Sequence, residues 1–167
     1  MSRAEEEWGE WGSVYFDDDG RVLGSMQYGP SHLFPRAHDL PAGPPSGDAV
    51  IVTCSYLADG EAEWVEQSLM LAAIGEARDR GAHGLEAFAY AYVEGDSTEE
   101  RFQVHRTVFP RDFLADFGFE TLRRRGRIEL CRLDLGGLQP VEEGARAKVL
   151  RVVQEAFTPS PAPVSGP

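Results

Sequence analysis

The stretch "DAVIVTCSYLADGEAEWVEQSLM" at residues 48–70 decides the fold. Residues 48–57 are almost continuously apolar and rich in β-branched side chains, which is typical of a central strand buried on both faces. Apolar side chains then recur at helical spacing over residues 61–80, and a second apolar strand is predicted over residues 85–93. A strand, a helix and a strand in this order predict a βαβ unit, in which the two strands run parallel.

The segments before this unit predict a β-hairpin followed by a long loop. Residues 12–16 and 22–30 have strand character, and the Asp- and Gly-rich turn between them suits a hairpin connection. Residues 31–47 are so rich in proline that we expect no regular element there.

The segments after the unit predict a loop, a short helix, two strands and a last helix. Residues 94–107 are polar and predict an exposed loop, and a short helix is predicted within residues 109–119. An antiparallel pair of strands is expected around Gly126, and a helix is expected over residues 141–157. The composition of residues 158–167 predicts a disordered tail.

Together these elements predict an α/β fold with a mixed, mostly antiparallel, twisted sheet. Helices are expected on both faces of the sheet, and the parallel βαβ unit is expected at its centre. The 167 residues suit one domain, which we place at residues 8–157.

Charge and composition restrict the function classes. The net charge of −12 disfavours binding to nucleic acid and to anionic membrane surfaces. No apolar run is long enough to span a bilayer, so we expect a cytoplasmic protein. The spacing of Cys and His residues suits no zinc site, and we expect no metal. The one basic cluster, "LRRRGRIELCR", is either a solvated strand end or a local anion contact.

The segment "FLADFGFETLRRRGRIELCRLDL" at residues 113–135 resembles the C-terminal signature of the GNAT superfamily, the acyl-CoA N-acyltransferase fold. In that pattern a short helix ends in Gly-Phe and is followed by a strand and a return strand. Residues 11–37 resemble the segment with the family's second and third strands, and residues 46–57 resemble its fourth strand. The proline-rich loop is similar to that of an actinobacterial-type subgroup. The resemblance, over residues 8–135, implies an acetyl-CoA-dependent N-acetyltransferase whose first strand and helices are missing.

The resemblance also implies where acetyl-CoA would bind, and there the sequence departs from the family. The family's motif, Arg/Gln-x-x-Gly-x-Gly/Ala, follows the fourth strand and holds the pyrophosphate with backbone N–H groups and the helix dipole. The matching turn contains no glycine and is acidic. Two like charges about 4 Å apart repel by about 1 kcal/mol in water and about 4 kcal/mol at an effective dielectric of 20. The corresponding positions are Glu61, Ala62, Trp64 and Glu66, together with the strand residues Cys54 and Ser55.

We therefore predict a degenerate acetyl-CoA loop. The same residues also suit an ordinary helix start, because acids in a first turn stabilise the helix by about 0.3–1 kcal/mol each. In that interpretation Trp64 fills the groove that the coenzyme would occupy. Whether the splayed cleft between the family's fourth and fifth strands is open or filled by Trp64 decides between an active and an inactive protein.

The sequence offers only weak candidates for catalytic residues. Many family members use a Tyr as general acid, and the matching position here is Leu114, which has no proton to donate. Tyr90 and Tyr92 are possible replacements, although packing explains both. Glu86 and Glu94 are candidate general bases for an amine, and burial would raise the pKa of Glu86. An outward-facing strand position is the simpler interpretation of Glu86.

Three hypotheses follow. The first is a non-catalytic or weakly active binding or regulatory module with the GNAT fold. The second is an active acetyl-CoA-dependent N-acetyltransferase that acts on an unknown amine and depends on proximity. The third is a homodimer, or a complex with a protein partner, in which the partner pairs with the exposed edge of the strand at residues 12–16 and completes the truncated N-terminal side.

Overall fold

A computed structural model describes residues 7–58, 63–91 and 105–137. The chain divides into two compact units, Met1–Gly137 and Leu138–Pro167. All of the described residues belong to the first unit. The helix predicted at residues 141–157 and the predicted tail lie outside the described residues, so the domain limits stay a prediction.

The described elements are eight strands, one 3-10 turn and three helices. The strands are β1 (Gly12–Phe16), β2 (Val22–Pro30), β3 (Ala49–Leu57), β4 (Gly84–Tyr90), β5 (His105–Arg106), β6 (Phe109–Pro110), β7 (Glu120–Arg125) and β8 (Ile128–Asp134). The 3-10 turn is Ser31–Leu33, and the helices are α1 (Pro35–His38), α2 (Glu63–Asp79) and α3 (Arg111–Asp116).

The strands form one mixed sheet in the order β1-β2-β3-β4-β8-β7, with β5 beside β3 and β6 beside β4. The β3–β4 and β4–β6 pairs are parallel, and the other pairs are antiparallel. The first hairpin, the parallel unit and the antiparallel pair around Gly126 are thus confirmed. Gly126 has a φ of 65°, which favours glycine in the turn between β7 and β8.

Two apolar clusters cover the two faces of the sheet. On one face α2 and α3 pack on the strands, with Val65, Leu69, Phe113 and Leu114 in the shared core. On the other face the segment at residues 31–47 supplies Ala37 and Ala42, which pack in a cluster with Ile51 and Phe88 of the sheet. The prediction of helices on both faces is confirmed.

The proline-rich segment is more regular than its composition suggested. We expected no regular element at residues 31–47, but the 3-10 turn and α1 lie there. Pro35 occupies the first turn of α1, where its missing N–H has no intrahelical partner to lose. The prediction was wrong because proline disrupts helix interiors and not helix starts.

A β-bulge lies in the middle of β3. Gln27 of β2 pairs with Cys54, and the next residue, Tyr28, pairs with Val52, so Thr53 is an extra residue in β3. An extra residue reverses the alternation of side chains along a strand. Val52 therefore faces the α2 side before the bulge, and Ser55 faces it after the bulge.

The ends of the parallel unit differ slightly from the predicted limits. Helix α2 ends at Asp79, and Gly81 (φ 76°) follows in the conformation expected of a helix C-terminus. Strand β4 ends at Tyr90 and not at residue 93. Among the described residues, no helix is both long and apolar enough to cross a membrane.

Candidate functional site

The parallel strands β3 and β4 separate halfway along their length. They pair from Ala49 to Val52 on β3 and from Gly84 to Ala87 on β4. Beyond these residues the two strands no longer pair with each other. Instead, β3 pairs with β5 and β4 pairs with β6. The sheet therefore has a split at the position that corresponds to the cleft between the family's fourth and fifth strands.

Residues 105–110, which we call the wedge, occupy this split. The chain enters beside β3, where Arg106 pairs antiparallel with Ser55. It turns at residues 107–108 and leaves beside β4, where Phe109 pairs parallel with Ala89. The backbone edges that face the split are thus paired with the protein's own chain.

Two side chains of the wedge anchor it in the two faces of the sheet. Val108 is buried with Ile51, Phe88 and Leu130 on one face. Phe109 is fully buried on the other face and stacks on Phe113 of α3, with 5.9 Å between the ring centroids. Full burial of side chains of this kind stabilises a fold by about 1.5–3 kcal/mol each. The wedge is therefore part of the core.

The position of the wedge corrects the prediction of an exposed loop at residues 94–107. Residues 105 and 106, at the end of this segment, form β5 inside the sheet, and residues 94–104 lie outside the described residues. The apolar pair Val108 and Phe109 directly before Pro110 was the available sequence signal, since exposed loops seldom place two large apolar residues together.

Trp64 does not fill the split. Its side chain is 43% exposed, and its ring contacts Tyr15 of β1 edge-on, with 5.3 Å between the centroids. The expectation that the indole replaces a coenzyme was wrong, because this position on α2 faces the first hairpin and not the gap between β3 and β4. The obstruction comes from the wedge.

The acidic helix start is only partly described. Glu61 and Ala62 lie outside the described residues. Glu66 is fully buried, and one of its carboxylate oxygens accepts a hydrogen bond of 2.6 Å from the Ser55 hydroxyl. This contact is possible because the bulge turns Ser55 toward α2. Glu66 thus links α2 to the central strand β3. The sequence predicted Ser55 and Glu66 at the turn where the family binds a phosphate.

Cys54 lies on the other side of the strand. Together with Val14, Ser25 and Gln27 it lines an open groove of about 1310 Å³. Burial raises the pKa of the Cys54 thiol, so the protonated form dominates at neutral pH. A protonated thiol is a poorer nucleophile than a thiolate.

Glu86 is buried and bound on both sides. Its carboxylate accepts a hydrogen bond of 2.9 Å from the Ser46 backbone N–H and forms an ion pair of 3.0 Å with Arg132. Arg132 also pairs with Asp48 at 3.1 Å. The interpretation of Glu86 as an outward-facing residue was wrong. The carboxylate fixes the end of the proline-rich segment to the sheet, and both of its oxygens are engaged in this role.

The other candidate catalytic positions also have structural partners. The Tyr90 hydroxyl lies 2.9 Å from the Arg127 guanidinium, which also lies over the Tyr90 ring at 5.5 Å from its centroid. Leu114, at the family's general-acid position, is fully buried in the core. Tyr92 and Glu94 lie outside the described residues. The structure brings no two of the predicted catalytic residues together in its described part.

A third buried carboxylate, Glu129, was missed by the sequence interpretation. It accepts a hydrogen bond from the Thr121 hydroxyl at 2.5 Å and pairs with Arg124 at 2.5 Å and with Arg111 at 3.2 Å. Burial works to raise the pKa of Glu129, but the Thr121 hydrogen bond and the two guanidinium groups outweigh it and lower the pKa. The signal was a lone acid inside the apolar run of β8. Its role is to join α3, β7 and β8.

No group of three or more His, Cys, Asp or Glu side chains within residues 7–58, 63–91 and 105–137 could hold a metal ion.

Comparisons with known proteins bear on the fold. No family model matches the sequence, and no curated protein matches it. A protein from Acinetobacter baylyi assigned as an acetyltransferase is 13% identical, with a TM-score of 0.50, over 84% of this chain and 72% of its own. A GCN5-related N-acetyltransferase from Kribbella flavida is 17% identical, with a TM-score of 0.45, over 74% of this chain and 66% of its own. A GNAT superfamily phosphinothricin acetyltransferase from Sinorhizobium meliloti, solved with acetyl-CoA, is 14% identical, with a TM-score of 0.45, over 78% of this chain and 65% of its own.

The likeness to the Acinetobacter protein is a likeness of fold, and this chain has a mixed sheet with the parallel pair β3–β4 at its centre. The chain therefore has the GNAT fold, as the segment at residues 113–135 predicted. The actinobacterial-type subgroup and the degenerate coenzyme loop stay predictions.

The wedge should be protected from hydrogen exchange. Because residues 105–110 pair with two strands, we expect their strand amides to exchange about a hundredfold or more slowly than in an unstructured peptide. Hydrogen–deuterium exchange with mass spectrometry measures this. A synthetic peptide of residues 105–110 is the control and should exchange at the unstructured rate. Equally fast exchange of these residues in the protein and in the peptide would show that the split is open.

Arg132 should be a large contributor to stability. The Arg132→Met variant leaves the buried Glu86 carboxylate without its ion-pair partner, which costs about 3–5 kcal/mol in the free energy of unfolding. The double variant Arg132→Met, Glu86→Gln should recover part of this loss, because the neutral amide can still accept the Ser46 hydrogen bond.

Urea denaturation at neutral pH measures these differences. Arg125→Met, on the exposed strand β7, is the matched control and should change stability by less than about 0.5 kcal/mol. Equal stability of the two single variants, or no recovery in the double variant, would contradict the role of the Glu86–Arg132 pair.

Proposed function

We propose that this protein is a binding or regulatory module with the GNAT fold that has lost ordinary acetyl-CoA-dependent transfer, and that any remaining activity is weak. One observation carries the proposal: the protein's own residues 105–110 pair with both strands across the split where the resemblance implies an open cleft.

The wedge is a steric and energetic obstacle to a coenzyme. A ligand that entered the split would have to break the pairing of the wedge with β3 and β4 and expose Val108 and Phe109. Exposure of these two side chains costs about 3–6 kcal/mol. A cost of this size weakens the apparent affinity by roughly two to four powers of ten. An affinity of about 10 μM would thus become an affinity of about 1 mM or worse.

The acidic turn is an independent obstacle. Glu61 stands where the family's motif has a basic residue, its glycine positions are occupied by Ala62, Trp64 and Glu66, and the whole chain has a net charge of −12. The pyrophosphate of acetyl-CoA is itself negative, so this turn repels it, and the side chains hinder close approach to the backbone N–H groups.

The candidate catalytic groups support the same conclusion. Leu114 has no proton to give to a leaving thiolate, and Glu86 is engaged by Arg132 and Ser46. An active N-acetyltransferase with acetyl-CoA as its cofactor remains the competing function. It requires that the wedge leave the split during each reaction cycle.

Isothermal titration calorimetry with acetyl-CoA tests the proposal. We expect no measurable heat of binding up to millimolar coenzyme, while a GNAT enzyme that binds acetyl-CoA gives a normal isotherm in the same buffer. The double variant Glu61→Arg, Glu63→Gly removes two acids and adds one basic residue, and we expect it to remain without binding because the wedge is unchanged.

A micromolar dissociation constant for the natural protein, or release of free thiol from acetyl-CoA when amines are added, would contradict the proposal. Strong binding by the double variant alone would show that the wedge is easily displaced and that the turn was the only obstacle.

A further inference from the structure

Exposed apolar side chains gather along one edge of the sheet. Among the described residues, every exposed large hydrophobic side chain except Leu71 and Leu122 lies on the first hairpin, next to it, or in contact with it. We call this group the β1 edge patch, and its members are Trp11, Val14, Tyr15, Phe16, Val22 and Trp64. Tyr15 and Trp64 contact each other on the α2 side of this edge, and Val14 and Phe16 lie on its other side. Exposed apolar side chains gathered along one edge typically mark an interaction surface.

The backbone of β1 offers unpaired hydrogen-bonding groups beside this patch. The Tyr28 N–H donates to the Trp11 carbonyl at 3.2 Å, so Trp11 bonds inward to β2. Hydrogen bonds alternate along an antiparallel strand, and therefore Ser13 and Tyr15 also bond inward, whereas Gly12 and Val14 point their N–H and C=O groups outward. In the described part of the chain no strand pairs with this outer edge.

The β1 edge lacks two of the features that normally keep edge strands from pairing, proline and charge, and its register irregularity is confined to the end of the strand, between Tyr15 and Phe16. Strand β1 has the sequence GSVYF, with no proline and no charged residue. The opposite edge of the sheet, β7, has the sequence ETLRRR, and its arginines and glutamate discourage pairing there. The two edges of the same sheet thus differ, and β1 is the one suited to an added strand.

Acidic residues lie at both ends of the β1 edge. Glu10 lies before the strand, and Asp18 and Asp19 are exposed in the turn after it. Asp17 is held locally, because its carboxylate accepts hydrogen bonds from the backbone N–H groups of Arg21 and Asp19 and pairs with the Arg21 side chain. An added strand therefore meets apolar side chains in the middle and negative charge at both ends.

This charge pattern disfavours a second copy of the chain as the added strand. An antiparallel pair of two β1 strands centred on Val14 would place Glu10 of one copy opposite Asp18 of the other, twice in each dimer. Like charges directly opposite each other destabilise a strand pair.

We propose that the β1 edge binds an extended segment of another protein by strand addition, and that this segment has apolar residues at alternate positions and Lys or Arg at its ends. Main-chain hydrogen bonds to Gly12 and Val14 supply the affinity. The apolar side chains of the segment pack on the β1 edge patch, and its basic ends pair with Glu10, Asp18 and Asp19. This inference names the partner class for the binding role proposed above, and it needs no coenzyme.

Fluorescence anisotropy with labelled peptides tests the inference on the full chain. The probe is the peptide KKVTVTVTKK, and the controls are EEVTVTVTEE, with acidic ends, and KKVTPTVTKK, in which a central proline removes an N–H from the strand ladder. We expect saturable binding of the probe, weakening with salt, and at least about tenfold weaker binding of each control. No saturable binding of the probe, or equal binding of the three peptides, overturns the inference.

A matched pair of protein variants locates the site. Val14→Asp places an acid on the β1 edge. The added charge alone would strengthen binding of the basic probe, whereas the loss of the apolar contact weakens it. Leu71→Asp makes the same kind of change at an exposed apolar residue of α2. We expect about tenfold or greater loss of probe affinity for Val14→Asp and less than about twofold change for Leu71→Asp, with thermal unfolding confirming that both fold.

Equal effects of the two variants overturn the inference. So does sedimentation of the natural protein as a dimer that Val14→Asp abolishes, because a second copy would then occupy the edge. Calorimetry with acetyl-CoA is independent of these measurements, so this inference and the proposed function can fail separately.

Discussion

A sheet that splits between two parallel strands must pair the backbone groups that the split exposes, because buried N–H and C=O groups without partners are costly. In this protein the chain itself supplies the partners. Residues 105–110 enter along β3 and leave along β4, and Val108 and Phe109 close the two faces of the sheet. The same pairing completes the core and fills the split between β3 and β4.

Other features of the protein are consistent with a filled split. The bulge at Thr53 turns Ser55 toward α2, where its hydroxyl binds the buried Glu66, so the strand and the helix start are joined by side chains. The proline-rich segment is fixed to the sheet through Ser46, Glu86 and Arg132. Ser55, Glu66 and Glu86, which the sequence placed at candidate coenzyme or catalytic positions, thus make structural contacts. In the first hairpin, in contrast, the outer edge of β1 pairs with no strand of the described part of the chain.

The sequence predicted those parts of the fold that depend on local patterns. Neighbouring residues alone predict three of the elements. These are the strand at the continuous apolar run of residues 48–57, the helix at the periodic segment that follows it, and the turn at Gly126. The wedge could not be predicted in this way, because its partners Ser55 and Ala89 are distant in sequence. The burial of Glu86 depends likewise on Arg132, and the exposure of Trp64 depends on which strand lies beside α2.

The most direct test of the account is a crystal structure of the protein grown or soaked with millimolar acetyl-CoA. The account predicts residues 105–110 in the split, paired with β3 and β4, and no coenzyme between the strands. Density for the thioester arm between β3 and β4, with the wedge displaced, would contradict the central claim and would identify the protein as a coenzyme-binding member of this fold class.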